Sequence, residues 1–182
     1  MVDERALVER AQQYDPAAFG VIYERYYQEI YNYVYYRVGD GLLAEDLTAE
    51  VFLKALEAIG AFQFRGVPFS AWLYRIAGNL VIDHFRRQPR QSEALLEENQ
   101  VAADGDDHPA DYWEKGFTHQ ALQEALKGLT EEQQQVVILK FVEGMSNGEV
   151  AQIMGKSEGS IKSLQHRALA SLGRLMGVEE FS

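Results

Sequence analysis

The stretch Ser146 to Ala170, SNGEVAQIMGKSEGSIKSLQHRALA, leaves its backbone few options. Ser146 and Glu149 have the S-x-x-E spacing of a capping box, which satisfies the orphan amides of a helix start. Val150, Ala151, Ile153 and Met154 give that helix an apolar side. Gly155 follows, and glycine can take the left-handed conformation that ends a helix. Ser157 is then placed to cap a second helix. By helical periodicity Ile161, Leu164, Ala168 and Leu172 share one stripe of it. Lys162, Ser163, His166 and Arg167 fall away from that stripe, with Ser160 near the N-terminus. This is the layout of a helix-turn-helix whose second helix can enter a major groove. It is also the layout of an ordinary helical hairpin with Lys162 and Arg167 solvated, and the spacing alone does not choose.

Composition narrows the class. The 182-residue chain has room for one ordinary domain or two small ones, and at 47% hydrophobic residues it can bury a core. Without cysteine it has neither a disulfide framework nor a cysteine zinc site, which suits a reducing cytoplasm. No apolar run reaches the roughly 18 residues of a membrane span. The start, MVDERALVERAQQ, lacks the apolar stretch of a signal peptide. No strand pattern or internal repeat is visible, so an all-α fold is expected.

A net charge of −11 is awkward for a protein that binds DNA unaided, because phosphate contact dominates such affinity. The distribution matters more than the sum. Arg65, Arg75, Arg86, Arg87 and Arg90 stand against Asp83, and Lys156, Lys162, Arg167 and Arg174 against Glu158. Between them lie Glu93, Glu97, Glu98, Asp104, Asp106, Asp107, Asp111 and Glu114, with Lys115 alone opposing. Two basic islands thus flank an acidic middle. The middle reads as a flexible linker, helical at most near Ser92 to Gln100.

The N-terminal part reads as four helices. The first spans Asp3 to Gln13, and Asp15-Pro16 opens the second, where Phe19, Ile22, Tyr23, Tyr26, Tyr27, Ile30 and Tyr33 recur at three- and four-residue steps. The tyrosines fit core packing, or a stacking platform for bases. Gly39-Asp40-Gly41 breaks that helix. Leu42 to Ile59 forms the third, with Leu43, Leu47, Val51, Ala55 and Ile59 inward. Asp46, Glu50 and Phe52 stand off that side, which fits an exposed docking surface or merely a solvated face. Gly60 to Ser70, GAFQFRGVPFS, is a loop carrying Phe62, Phe64, Arg65 and Phe69. Such a loop can capture an unstacked base, or tuck onto the core. Ser70 is expected to cap a helix from Ala71 to about Arg87. Leu73, Ile76, Ala77 and Leu80 form its buried stripe; Trp72, Arg75, Asn79, Asp83 and Arg86 form a second one. Arg suits phosphate, Asn a base edge and Trp a base face, although a salt-bridged surface has the same residues. Toward the C-terminus, Thr118 to Leu126 reads as a helix, and Thr130 opens another to about Val142 through a T-x-x-Q capping box. The acidic tail after Gly177 is expected to fray.

Taken together, these pieces resemble the extracytoplasmic-function sigma factors of bacterial RNA polymerase. AEDLTAEVFLKAL, Ala44 to Leu56, looks like the family's polymerase-docking helix. FSAWLYRIAGNLVIDHFRR, Phe69 to Arg87, looks like its promoter-melting helix and keeps the F-x-x-W-L-x-x-I-A-x-N-x-x-x-D-x-x-R signature. LTEEQQQVVILKFVEGMSNGEVAQIMGKSEGSIKSLQHRAL looks like its helix-turn-helix domain. Three motifs in order cover about Ala18 to Leu175, interrupted only by the linker.

The resemblance implies a non-enzymatic initiation factor without cofactor or metal. Residues 1–90 would form sigma region two, 91–111 the linker and 112–182 sigma region four. Asp46, Ala49, Glu50, Phe52 and Leu53 would dock on the coiled coil of the large polymerase subunit, and region four on its flap. Phe64, Arg65, Trp72, Arg75, Asn79, Asp83, Arg86 and Arg87 would engage the minus-ten element, with the loop and Asn79 holding a flipped base. Lys156, Gly159, Ser160, Lys162, Ser163, His166 and Arg167 would read the minus-thirty-five element. An anti-sigma partner and a cytoplasmic location are implied, with no membrane insertion. Binding DNA as part of the polymerase also reconciles the acidic charge, and the linker would thread the polymerase's basic RNA channel. Ala49 stands where the family usually has Gln, Leu164-Gln165 where it has Arg-Leu, and Ser160 where it has Thr. A stand-alone regulator with a helical sensor domain would explain the C-terminal half equally well. It would leave the Trp72 to Arg87 stripe and the docking helix without a purpose. An enzyme is disfavoured, because His84, His108, His119 and His166 are scattered and no nucleophile, phosphate-loop or metalloprotease motif appears.

Overall fold

The computed structural model describes residues 3–87 and 119–177, and these are helical throughout apart from turns and one loop. The linker, the start of the helix expected at Thr118 and the C-terminal tail lie outside the described residues. The chain divides into two compact units, Met1–Val81 and Ile82–Ser182. Among the described residues no helix is long and apolar enough to cross a membrane.

The N-terminal helices are α1 (Glu4–Gln12), α2 (Pro16–Val38), α3 (Gly41–Ala58) and α4 (Phe69–Arg86), with a 3-10 turn at Ile59–Ala61. Their ends follow the local chemistry. Asp15 caps α2 by accepting from the Ala17 amide, and Pro16 takes the first helical position, where no amide is needed. Gly39 ends α2 at φ 74°, and the next residue, Asp40, caps α3 through the amides of Leu42 and Leu43. Two helices therefore meet at a two-residue corner. Ile22, Ile30, Tyr33, Leu47, Val51, Ala55, Ile59, Leu73 and Ala77 are buried, as the periodicity predicts.

Helix α4 reaches the core largely through rings. Tyr74 meets Tyr33 edge-on at 5.4 Å, and Phe69 lies 6.1 Å from Tyr26. The helix begins at Phe69, with Ser70 already inside it and the Ala71 amide bonded to the Pro68 carbonyl. Ser70 is therefore not the cap: Phe69 is wholly buried, and seating its ring draws the helix start back before the serine. Ile76 and Leu43, both expected inward, are only half-buried.

The C-terminal helices are α5 (His119–Leu126), α6 (Glu131–Val137), α7 (Asn147–Met154) and α8 (Glu158–Leu175). At α6 the capping box closes fully: Thr130 Oγ1 accepts from the Gln133 amide and Gln133 Oε1 from the Thr130 amide, each at 3.2 Å. The helix expected to run on to Val142 instead widens into a π turn at Ile138–Val142. Ile138 and Leu139 in that turn are both fully buried, continuing the buried run from Val136 and Val137. Helices α6 and α7 pack on α8, whose Ile161, Leu164, Ala168 and Leu172 are buried.

Candidate nucleic-acid and docking interfaces

The helix-turn-helix is built as its spacing requires. Ser146 Oγ accepts from the Glu149 amide at 3.2 Å to start α7, and Gly155 ends it at φ 66°. The reciprocal half of the Ser146 capping box is replaced: Glu149 Oε1 takes the serine hydroxyl at 3.3 Å. Ser157 Oγ accepts from the Ser160 amide at 3.1 Å and donates to Ser160 Oγ at 2.9 Å, fixing the start of α8. Gly148 lies close to the start of α8: a Cβ there would stand 2.8 Å from Glu158 Oε1, so that side chain would have to swing aside.

This frame leaves one face of α8 outward. Gly159, Ser160, Lys162, Ser163 and Arg167 are exposed, and His166 is half-buried beside them. Lys156, Ser157, Gly159, Ser160, Ser163, Leu164 and Arg167 line one open hollow of about 400 Å³. The structure thus brings together most residues expected to read the minus-thirty-five element. It adds Glu132 of α6, whose Oε1 lies 3.0 Å from Lys156 Nζ. Nothing in the periodicity of α6 pointed to Glu132. A Cβ on Gly159 would meet nothing nearer than Ser157 Oγ at 4.0 Å, so no contact within the described residues calls for glycine there.

On α4, Arg75, Asn79, Asp83 and Arg86 lie exposed along one side, with Arg87 just beyond the helix. Trp72 differs from them. It is half-buried, with its ring 5.2 Å from Phe62 and 5.4 Å from Phe69. The preceding loop is held in place rather than splayed. Phe64 packs edge-on to Phe62 at 4.8 Å and lies under the Arg5 guanidinium at 5.4 Å. Gln12 Nε2 donates to the carbonyls of Ile59 and Phe62 at 3.0 and 2.8 Å. Arg5 and Gln12 thus position the loop from α1, and only tertiary contact reveals it. Arg65 remains exposed.

The docking face of α3 needs a correction. Phe52, expected outward, is 3% exposed and packs edge-on against Tyr23 at 4.9 Å, with Tyr27 at 6.4 Å. Burying such a ring contributes about 1.5–3 kcal/mol, more than an isolated surface phenylalanine would gain. The tyrosines of α2 therefore serve the packing role, continuing outward as near-parallel pairs Tyr27–Tyr31 and Tyr31–Tyr35. Burial first, then Tyr23, Glu45 and Tyr31, raise the Tyr27 phenol above its ordinary value. The exposed apolar groups of α3 are instead Leu42 at 76%, Leu53 at 56% and Leu56 at 43%. With Asp46 and Ala49 they repeat at the three- and four-residue steps of a coiled-coil seam, and Glu45 and Glu50 flank it.

Comparison with known proteins finds a match for each of the two segments. Residues 22–91 match Sigma-70 region 2, and residues 119–172 match Sigma-70, region 4. The ECF RNA polymerase sigma factor BldN of Streptomyces coelicolor is 45% identical over 93% of this chain, which spans 64% of BldN's length. The ECF RNA polymerase sigma factor SigX of Bacillus subtilis is 32% identical over 87% of this chain and 83% of its own. The sigma factor RpoE of Bartonella quintana, solved in complex with the anti-sigma factor NepR, superimposes with a TM-score of 0.64. That match has 26% identity and covers 88% of this chain and 98% of RpoE. With both sigma regions present in order, and relatives of this closeness, the chain belongs to the extracytoplasmic-function sigma factors of RNA polymerase.

Proposed function

We propose that this chain directs core RNA polymerase to specific promoters, acting by binding alone. The observation that carries the reading is the outward face of α8: exposed Lys162, Ser163 and Arg167 on a helix whose opposite stripe is buried. In this reading residues 112–182 form the domain that reads the minus-thirty-five element and meets the polymerase flap. Gly159, Ser160, Lys162, Ser163, His166 and Arg167 face the major groove, with Lys156 at the edge. A good bidentate base contact supplies about 1–3 kcal/mol of discrimination.

Residues 1–90 form the melting domain. Asn79 and the Phe64–Arg65 loop hold a flipped base, Trp72 supports it, and Arg75, Arg86 and Arg87 hold backbone phosphates, with Asp83 among them. Unstacking a base costs a few kcal/mol, so a loop fixed before DNA arrives captures an opening more readily than a floppy one. The α3 seam of Leu42, Asp46, Ala49, Leu53 and Leu56, with Glu45 and Glu50 beside it, receives the coiled coil of the large subunit. Leu53 takes the anchoring role first expected of Phe52. Residues 91–111 link the two domains. An anti-sigma factor, as found bound to RpoE, covers these surfaces when the protein is inactive, and the whole cycle runs in the cytoplasm.

Run-off transcription with purified core polymerase and a promoter library tests the proposal. Promoter-specific transcripts that weaken with Asn79→Ala and with Arg167→Ala are expected. No stimulation, together with tight salt-sensitive DNA binding by the chain alone, would favour a stand-alone regulator instead.

A further inference from the structure

Glu132 enters the basic hollow from outside the helix-turn-helix. It stands in the first turn of α6, where the helix dipole favours an acid. Its carboxylate oxygen lies 3.0 Å from Nζ of Lys156, which sits in the turn leading to α8. Both residues line the hollow with Ser160, Ser163 and Arg167. The Lys156 side chain is 32% exposed and that of Glu132 57%, so the acid is the partner turned more to solvent. Lys162 and Arg167, by contrast, make no ion pair among the described residues.

A phosphate nearing Lys156 must displace Glu132 or sit beside it, and either route brings two anions together. We propose that Glu132 withholds Lys156 from DNA phosphate and acts as an electrostatic filter on this face. Non-specific duplex is held almost wholly by phosphate attraction and so feels the filter most. A cognate element adds base contacts that offset it. The inference rests on the assignment of α8 to promoter DNA.

The test is a salt series of binding by the full chain assembled with core RNA polymerase, with core polymerase alone subtracted, to two labelled duplexes. One carries a minus-thirty-five element recovered from the promoter library, and the other is a scrambled sequence. Glu132→Gln is expected to strengthen both complexes, the scrambled one more, so that discrimination falls. One added phosphate contact steepens the log–log salt slope by about 0.9. The gain therefore shrinks roughly three- to fourfold between about 50 and about 200 mM salt. It disappears in the Glu132→Gln, Lys156→Ala double variant. A silent Glu132→Gln, or a Lys156→Ala single variant whose slope flattens by about one, overturns the inference. Arg167→Ala separates the two levels. If it abolishes discrimination while Glu132→Gln is silent, only the filter fails. If it leaves discrimination untouched, the assignment of α8 fails and takes the filter with it.

Discussion

The side-chain amide of Gln12 donates to the carbonyl oxygen of Phe62 at 2.8 Å, across fifty positions of chain. The same nitrogen also reaches the Ile59 carbonyl, so a helix remote in sequence from the loop after α3 sets where that loop begins. Gln12→Ala leaves two part-buried carbonyls without this donor. At about 0.5–1.5 kcal/mol for each hydrogen bond, a loss of roughly 1–3 kcal/mol is expected in chemical denaturation. Permanganate reactivity of promoter thymines should fall at equal polymerase occupancy, because the loop loses its setting while docking on α3 is untouched.

Phe52 and Leu53 are neighbours with opposite fates, which makes them a matched pair. Phe52→Ala empties a packed site and should destabilise the fold by about 3–5 kcal/mol. Leu53→Glu should shift stability by less than about 0.5 kcal/mol, as surface changes do, yet abolish co-purification with core polymerase. Thermal melts and a pull-down with purified core separate the outcomes. Retained polymerase binding in Leu53→Glu would dismiss the leucine seam.

Gly159→Ala replaces a glycine in the first turn of α8 with nothing in the way of the new methyl. The chain alone should be unchanged or stabilised by up to about 1 kcal/mol. Promoter binding should weaken, because the methyl fills space through which a DNA backbone would approach. Equal binding by Gly159→Ala and the parent would show that the groove wall lies elsewhere.

Asp15 caps α2 and takes a side-chain hydrogen bond from Arg10, which with the Ala17 amide holds its carboxyl below the usual 3.8. A pKa lower in the folded than in the unfolded chain stabilises above the unfolded value. The contribution fades as pH falls through the folded one. Removing the arginine, as in Arg10→Ala, should therefore raise the pH at which acid unfolding begins, with little change once the pH lies below the folded pKa. A circular dichroism titration of both proteins checks the sign.

Much of this architecture is legible without coordinates because its boundaries are local. Asp15-Pro16, Gly39-Asp40, Thr130 with Gln133, and Gly155 with Ser157 each set a helix end through groups a few residues apart. The outward face of α8 follows from periodicity, since the buried stripe of Ile161, Leu164, Ala168 and Leu172 dictates what remains outside. What escapes is set by partners distant in sequence. Helical spacing shows that Phe52 leaves the main apolar side of α3, yet not that Tyr23 and Tyr27 of α2 lean over it. Glu132 looks like a first-turn acid until Lys156 is seen beside it. Phe69 pulls the start of α4 past Ser70 because its ring has a core to enter.

The π turn at Ile138–Val142 has a bearing on how such a chain can diversify. A wide turn of this kind is a place where a helix has accommodated one residue more than its regular repeat. Closing that turn to the regular repeat would take the loss of one residue ahead of Ser146, outside the contacts of Ser146, Gly155 and Ser157 that fix how α7 and α8 meet.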